Sequence, residues 1–172
     1  MPKNQDLVIE ASPDNLRTVA LAAISGVRSM AAPALLARAA SRGDVSGLRA
    51  TPFAFLGDDR ASALLQTLMV GEMIGDKTPF IPSRVSAGPL FGRALSGALV
   101  GSALFASRGR QTLSGALLGA ASALAGVYAA DRLRSATTRG LGLPDPLFGL
   151  LEDGLILVGG DRLLRKGFKS GG

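Results

Sequence analysis

The residues of this sequence that could do chemistry are charged side chains inside otherwise apolar segments. Arg28 lies in the segment Ser-Gly-Val-Arg-Ser-Met, and Glu72 lies in Gly-Glu-Met. Glu152 and Asp153 are adjacent and follow a run of apolar residues. One charge at the centre of a bilayer costs roughly 2.5–3.5 kcal/mol, and a partner of opposite sign offsets much of that cost. The pattern therefore predicts a buried cluster in which Arg28 faces Glu72 or Glu152.

This cluster has two interpretations, and the sequence alone leaves both open. In the first, the charges line a path or a binding site for a small solute or a proton. In the second, they form a structural pair that fixes helix register, or they lie near the ends of short, tilted helices. Adjacent helical residues point about 100° apart, so we expect only one of Glu152 and Asp153 to face the interior. Ser25, Arg28 and Ser29 are predicted to share one face of a single helix.

A second polar stretch follows Glu72 and is punctuated by Pro79 and Pro82. Proline fixes its own backbone φ angle, so this loop is predicted to be stiff. A stiff loop with basic side chains suits an anion or headgroup site, and it equally suits a plain loop anchored at a membrane interface. The candidate polar site comprises Arg28, Glu72, Asp76, Lys77, Arg84, Glu152 and Asp153.

The residue types that are missing narrow the chemistry further. The 172 residues include no cysteine and no histidine. Disulfides, thiolate chemistry, histidine general bases and zinc sites built on imidazole are therefore excluded. Carboxylates could still bind a hard metal or act as acid and base. Without a nucleophile motif we predict no catalytic residues, no metal site and no cofactor, which disfavours an enzyme.

The distribution of basic residues along the sequence is typical of membrane proteins. The net charge is +6, with 19 lysines and arginines, and the aromatic residues are limited to seven phenylalanines and one tyrosine. The basic residues are scattered between apolar segments rather than clustered with aromatic residues, so we predict no nucleic-acid partner. Basic flanks favour membrane insertion, with membrane lipid as the partner. If every apolar segment crosses the membrane, the two sides carry nearly equal numbers of basic residues, and orientation stays open.

The apolar segments predict an all-α protein, a small polytopic bundle of about five transmembrane helices. The segment 111–130 contains no charge and reaches the length of about 20 apolar residues that a span needs. The alternative is a soluble helical bundle with one unusually apolar hairpin. The predicted helices cover about 16–40, 61–75, 89–107, 112–134 and 147–164. The predicted divisions are a polar N-terminal segment 1–15, a helical membrane domain 16–165, and a basic, glycine-containing tail 166–172.

An internal repeat predicts how two of these helices pack. Residues 95–103 read LSGALVGSA and residues 113–121 read LSGALLGAA. Glycines four apart lie on one helix face and allow a partner backbone to approach closely. A short basic connector joins the two copies, so the pattern predicts an antiparallel, glycine-packed hairpin. Assembly of a homo-oligomer through these faces is the alternative. The predicted packing residues are Gly97, Gly101, Gly115, Gly119 and Gly126.

Several short motifs, taken in order, resemble a known family. They are the phrase at 26–30, the stretch at 72–79, the Pro-Ser-Arg at 82–84, the glycine-spaced hairpin, and Leu-Glu-Asp at 151–153. Together they are similar to the bacterial integral-membrane family catalogued as domain of unknown function 4126. The resemblance would cover residues 16–165. It implies a multi-pass protein of the bacterial inner or plasma membrane and names no activity.

Two functions are compatible with these predictions. In the first, a small integral membrane protein binds or moves a small solute or ion through a polar site between helices, with the identity of the ligand unknown. In the second, a structural membrane protein assembles through its small-residue faces.

Overall fold

The computed structural model describes residues 12–75, 87–141 and 145–167, and within them the chain is helical with no strand. The predicted all-α class is confirmed, with six α-helices rather than five. The α-helices are α1 Pro13–Val27, α2 Ala31–Ser41, α3 Asp59–Gly75, α4 Ala87–Ser107, α5 Thr112–Leu141 and α6 Asp145–Gly167. Two short 3-10 helices, Leu48–Ala50 and Ala54–Gly57, connect α2 to α3.

The prediction of one helix over residues 16–40 is wrong, because the helix is interrupted between α1 and α2. Arg28 has an extended backbone, with φ −138° and ψ 115°. The backbone N–H groups of Ser29 and Met30 donate to the carboxylate of Glu72 rather than to carbonyls of a preceding turn. A carboxylate from another helix thus supplies the hydrogen-bond acceptors that backbone carbonyls supply in a continuous helix. The predicted polar face through Ser25, Arg28 and Ser29 therefore does not exist as one helical stripe.

After this interruption, α2 runs back toward the end of the bundle at which α1 begins. The start of α1 lies beside the turn between α4 and α5, where Arg108 Nη1 donates to Thr18 Oγ1 at 3.1 Å. The segment that follows α2 reaches the same place, since a Cβ built on Gly47 would lie 3.2 Å from the carbonyl carbon of Ser107. The first two helices therefore form an antiparallel pair, which we call the α1–α2 hairpin.

The remaining helices run along this hairpin and fix the depth of its turn. The preceding 3-10 helix places the start of α3 near the end of α2, with Gly57 against Ala40. Far along α3, Glu72 reaches Ser29 and Met30 at the turn. With a helical rise of 1.5 Å per residue, the turn lies roughly 20 Å from the start of α1. The α1–α2 turn is therefore deep in the bundle.

The short helix α2 lies at the centre of the fold. Nine of its 11 residues are buried, and Arg38 is an exposed exception. Its alanines and leucines contact α3 and α6 and share one core cluster with Val100 and Leu104 of α4. Alanine makes this enclosure possible, because its small side chain lets neighbouring helices pack close on several sides.

The helices α4 and α5 approach so closely that glycine is required at their contact. A Cβ built on Gly101 would overlap the carbonyl oxygen of Gly115 and lie 2.9 Å from its carbonyl carbon. A Cβ on Gly97 would lie 2.6 Å from the Cβ of Ala123, and a Cβ on Gly119 would lie 2.8 Å from the carbonyl carbon of Gly97. Both copies of the repeat thus face each other within one chain.

A second close approach brings α1 against α5. A Cβ built on Gly26 would lie 2.6 Å from the backbone nitrogen of Val127. A Cβ on Gly126 would lie 3.1 Å from the carbonyl carbon of Ala23. This contact holds the last turn of α1, and hence Arg28, in a fixed position beside α5.

Among the described helices, two are long and apolar enough to cross a membrane. They cover Ala87–Ser107 and Thr112–Ala136. They are the two helices that contain the glycine repeat, and the short connector between them reverses the chain.

Candidate functional site

The centre of the candidate site is an ion pair between the α1–α2 turn and α6. Arg28 donates from Nε to Oδ1 of Asp153 at 3.0 Å, and Nη2 lies 2.8 Å from the same oxygen. Arg28 is 1% exposed and Asp153 is 7% exposed. Charge-assisted hydrogen bonds of this length are stronger than neutral ones. The pair therefore joins two elements that are 125 residues apart in the chain.

Glu72 forms the second part of the site at the start of α2. Its Oε1 accepts from the backbone N–H and the hydroxyl of Ser29, and its Oε2 accepts from the backbone N–H of Met30, each at 2.8 Å. The N-terminus of a helix carries partial positive charge and unpaired N–H groups, which favour an anion. The carboxylate from α3 occupies this anion position, so it substitutes for a local N-cap residue.

The arrangement of charges differs from the expected one. We expected Arg28 to face Glu72 or Glu152, but among the described residues its ion pair is with Asp153. Glu152 is partly buried and its Oε2 atom is enclosed, whereas the neighbouring Asp153 is fully inside. The 100° rotation between adjacent helical residues accounts for this difference. The other predicted members of the site, Asp76, Lys77 and Arg84, lie outside the described residues.

Among the other polar side chains that are buried in the bundle, Arg93 and Ser25 bear on the site. Arg93 on α4 is 4% exposed. A charged residue within an apolar segment is the sequence pattern that points to it. Ser25 on α1 is fully buried, and its hydroxyl has no hydrogen-bond partner among the described residues. The sequence indicated Ser25 only as part of the predicted polar face with Arg28 and Ser29, a face that the interruption after Val27 divides.

The part that the backbone plays in the site was not predictable from residue types. Two of the three donors around Glu72 are main-chain N–H groups, which every residue except proline carries. They become available only because the helix is interrupted at this point. Within the described ranges, no group of three or more acidic residues is placed to hold a metal ion.

We expect Glu72→Ala to destabilise the fold, because it leaves the donors of Ser29 and Met30 without an acceptor. Each buried donor left unsatisfied costs about 1–3 kcal/mol. Glu72→Gln should have a smaller effect, because its amide oxygen can still accept from Ser29. The measurement is the free energy of unfolding in detergent micelles, followed by circular dichroism.

The matched control is Thr67→Ala, on the exposed side of the same helix. Its hydroxyl bonds only to the backbone oxygen of Ala63. Equal unfolding free energies for the Thr67 and Glu72 alanine variants would show that Glu72 does not cap α2.

Comparison with known proteins gives one match. A family model described as Domain of unknown function (DUF4126) matches residues 16–160. No curated protein and no solved structure matches the chain. The matched range includes Arg28, Glu72 and Asp153, so the whole described site falls within it.

Proposed function

We propose that this chain, which belongs to the family described as Domain of unknown function (DUF4126), is a multi-pass protein of the bacterial cell membrane that binds or moves a small solute or ion. The observation that carries the proposal is the α1–α2 turn. There, an interrupted backbone meets Arg28, Asp153 and Glu72 inside an apolar bundle. The match covers most of the chain and assigns no activity, so the argument depends on the geometry.

The outer surface of the bundle supports the membrane location. Large apolar side chains point outward on α3, α4 and α6, with exposed fractions of 64% for Ile74, 67% for Phe91 and 75% for Leu155. Water-soluble proteins rarely expose large contiguous apolar surfaces, whereas lipid chains solvate them without cost. The exposed large apolar side chains on α3, α4, α5 and α6 are Leu64, Leu68, Val70, Ile74, Phe91, Leu95, Leu113, Leu117, Tyr128, Leu133, Leu150, Leu151, Leu155, Leu157 and Val158.

The distribution of burial along α5 supports the same location. In the most apolar stretch of α5, only 28% is buried inside the protein, compared with 44% in the most apolar stretch of α4. A core helix of a soluble protein would hide an equally apolar surface from water. An apolar helix that stays largely uncovered by its own chain is what a lipid-facing span requires.

The interior supports a polar site rather than a passive core. Non-helical backbone at membrane depth is tolerated only where protein covers it or where it lines a polar cavity. Ionisable residues inside membrane proteins are costly and rare, and they mark substrate or ion pathways and proton relays. The α1–α2 turn combines both features, with Arg28 and Asp153 almost fully buried.

The chemistry of the turn favours an anion among small ligands. Two backbone N–H groups, the Ser29 hydroxyl and the Arg28 guanidinium are all donors, and two carboxylates of the chain now satisfy them. Interrupted membrane helices use the positive ends of their half-helices in this way to hold anionic groups. An incoming anion would compete with Glu72, whose carboxylate is only partly buried.

Assembly through small-residue faces has less support. The faces of Gly97, Gly101, Gly115 and Gly119 are filled by the contact between α4 and α5 of one chain. A partner chain would therefore need a different surface.

Reconstitution into lipid vesicles tests the proposal. We expect the protein to raise the efflux of chloride or inorganic phosphate above that of protein-free vesicles. Glu72→Gln should change this rate several-fold, because it removes the charge that competes with the anion. Thr67→Ala serves as the control and should match the unmodified protein. Ion-selective electrodes report the two anions, and a pH-sensitive dye reports protons.

Fluxes of chloride, phosphate and protons that all equal those of protein-free vesicles would contradict the transport part of the proposal. Quantitative recovery of the protein in the soluble fraction, without detergent, would contradict the membrane location itself.

A further inference from the structure

The arginines of the described chain concentrate at one end of the bundle. This end is marked by the turn between α4 and α5, beside which α1 begins. The segment between α2 and α3 returns to the same end, with Gly47 against Ser107. We call the basic residues at this end the arginine rim. Its nine described members are Arg17, Arg38, Arg42, Arg49, Arg60, Arg108, Arg110, Arg162 and Arg165.

The direction of α6 brings its arginines to the rim. Asp153 meets Arg28 at the deep turn. Gly160 lies nearer the rim, since a Cβ there would be 3.3 Å from Cδ1 of Ile24, one helical turn before Arg28. Two further helical turns follow before α6 ends at Gly167. The chain therefore returns to the rim after its deepest contact with α1.

The opposite end carries far fewer basic residues within the described ranges. There, α5 contributes Arg132, Arg134 and Arg139, with Asp131 beside the first of them. Five straight spans would have alternated the basic residues between two sides in nearly equal numbers. Because the α1–α2 hairpin doubles back, Arg17 joins Arg38 and Arg42 on one side. The asymmetry is thus a product of the fold.

Two arginines of the rim are held in place by contacts with neighbouring side chains. Arg110 lies over the ring of Phe105, with its guanidinium carbon 4.2 Å from the ring centroid, and it also donates to the side chain of Asn15. Nη2 of Arg108 lies 4.0 Å from Oδ1 of Asp14, in addition to the hydrogen bond that Nη1 donates to Thr18. Guanidinium groups fixed in this way lose little conformational freedom when they meet a phosphate.

Arg108 remains charged in this setting. Burial lowers the pKa of its guanidinium, Asp14 raises that pKa, and the nearby Arg110 and Arg17 lower it. The ordinary pKa of arginine is so far above neutrality that the side chain stays protonated.

We infer that the arginine rim faces the anionic lipid headgroups of the cytoplasmic leaflet, so that the α4–α5 turn is cytoplasmic. The inference depends on the membrane location proposed above. Lysine and arginine accumulate in the cytoplasmic segments of membrane proteins, and anionic lipids attract them there. Four helices then cross the bilayer, while the α1–α2 hairpin enters and leaves from the cytoplasmic side.

The absence of cysteine makes this orientation directly measurable. Gln111→Cys places one thiol at the rim, and Ala136→Cys places one at the far end of the apolar window of α5, both at exposed positions. A membrane-impermeant maleimide is applied to spheroplasts before and after permeabilisation. We expect immediate labelling of the Ala136 variant, and labelling of the Gln111 variant only after permeabilisation.

The outcomes separate this inference from the proposed function. The reverse labelling pattern, or labelling of both variants in intact spheroplasts, would overturn the orientation and leave the membrane location intact. Protection of both variants, with the protein recovered in the soluble fraction, would overturn both.

A second experiment tests whether the rim is what meets the lipid. Arg38, Arg42 and Arg49 are exposed and can be changed together to glutamine, with Arg132→Gln/Arg134→Gln as the control at the far end. After extraction from vesicles of phosphatidylglycerol and phosphatidylcholine, the unmodified protein should retain phosphatidylglycerol preferentially. The triple variant should lose that preference and the control should keep it; equal retention by both variants would overturn the role of the rim.

Discussion

Replacing Arg28 by methionine should lower the free energy of unfolding by about 3–5 kcal/mol, since it leaves a buried carboxylate without its partner. Asp153 is 7% exposed, and the structure gives it two contacts from the guanidinium of Arg28. Methionine has a similar length and keeps most of the packing volume. The loss would therefore report the uncompensated charge rather than a cavity. Equilibrium unfolding in detergent micelles measures it.

The paired variant Arg28→Met/Asp153→Leu separates the cost of an isolated charge from the value of the pair. Buried ion pairs can often be replaced by apolar residues with little loss of stability. We expect the double variant to recover most of the stability that Arg28→Met loses. If the two single losses simply add, the residues do not act as a pair.

The double variant also distinguishes the two interpretations of the site. A stable double variant that no longer moves ions would mean that the pair serves the solute path. A stable double variant with unchanged flux would mean that the pair only fixes the position of α6 against α1. Arg28→Lys adds a further comparison, because lysine keeps the charge without the planar donor geometry.

Gly101→Ala should lower the free energy of unfolding by about 1–3 kcal/mol, the usual cost of an added group in a filled contact. The new methyl group would overlap the carbonyl oxygen of Gly115, and backbone atoms cannot move aside as a flexible side chain can. The two helices must separate along their length, which also loosens Gly97 against Gly119. Unfolding in detergent micelles again provides the measurement.

Gly92→Ala is the matched control, because it makes the same substitution on the same helix, α4, in different surroundings. Among the described residues, no atom beyond the adjacent residues and backbone of its own helix lies within 4 Å of a Cβ built on Gly92. Alanine is a better helix former than glycine by roughly 1 kcal/mol in soluble hosts, so this variant should be neutral or slightly more stable. A Gly101 variant as stable as the Gly92 variant would refute the close approach of α4 and α5.

The parts of the fold that were predictable are those determined by neighbours in sequence. The glycine repeat gives its spacing directly, and its two copies are separated by a short connector that reverses the chain. The apolar segments were likewise recognisable from composition. Arg28 and Glu72 attracted attention because a charge is rare in such a segment. These signals identified candidate residues, but they could not identify partners.

The parts that were missed depend on contacts between distant segments. The interruption after Val27 coincides with hydrogen bonds from Ser29 and Met30 to Glu72, 43 and 42 residues away in the chain. Helix propensity around Arg28 gives no sign of this, since the residues are ordinary helix formers with one glycine. The choice of Asp153 over Glu152 follows from the rotation of α6 about its axis. That rotation is set by packing against the α1–α2 hairpin.

The central position of α2 has a consequence for how the protein is made. Synthesis begins at the N-terminal side, so α2 exists before α4 and α6, which form walls of its enclosure. Until those helices are inserted, α2 packs only against the segments made before them, and Arg28 lacks its partner Asp153. On the proposed membrane location, we expect the α1–α2 hairpin to reach its final packing only after the last helix has been inserted.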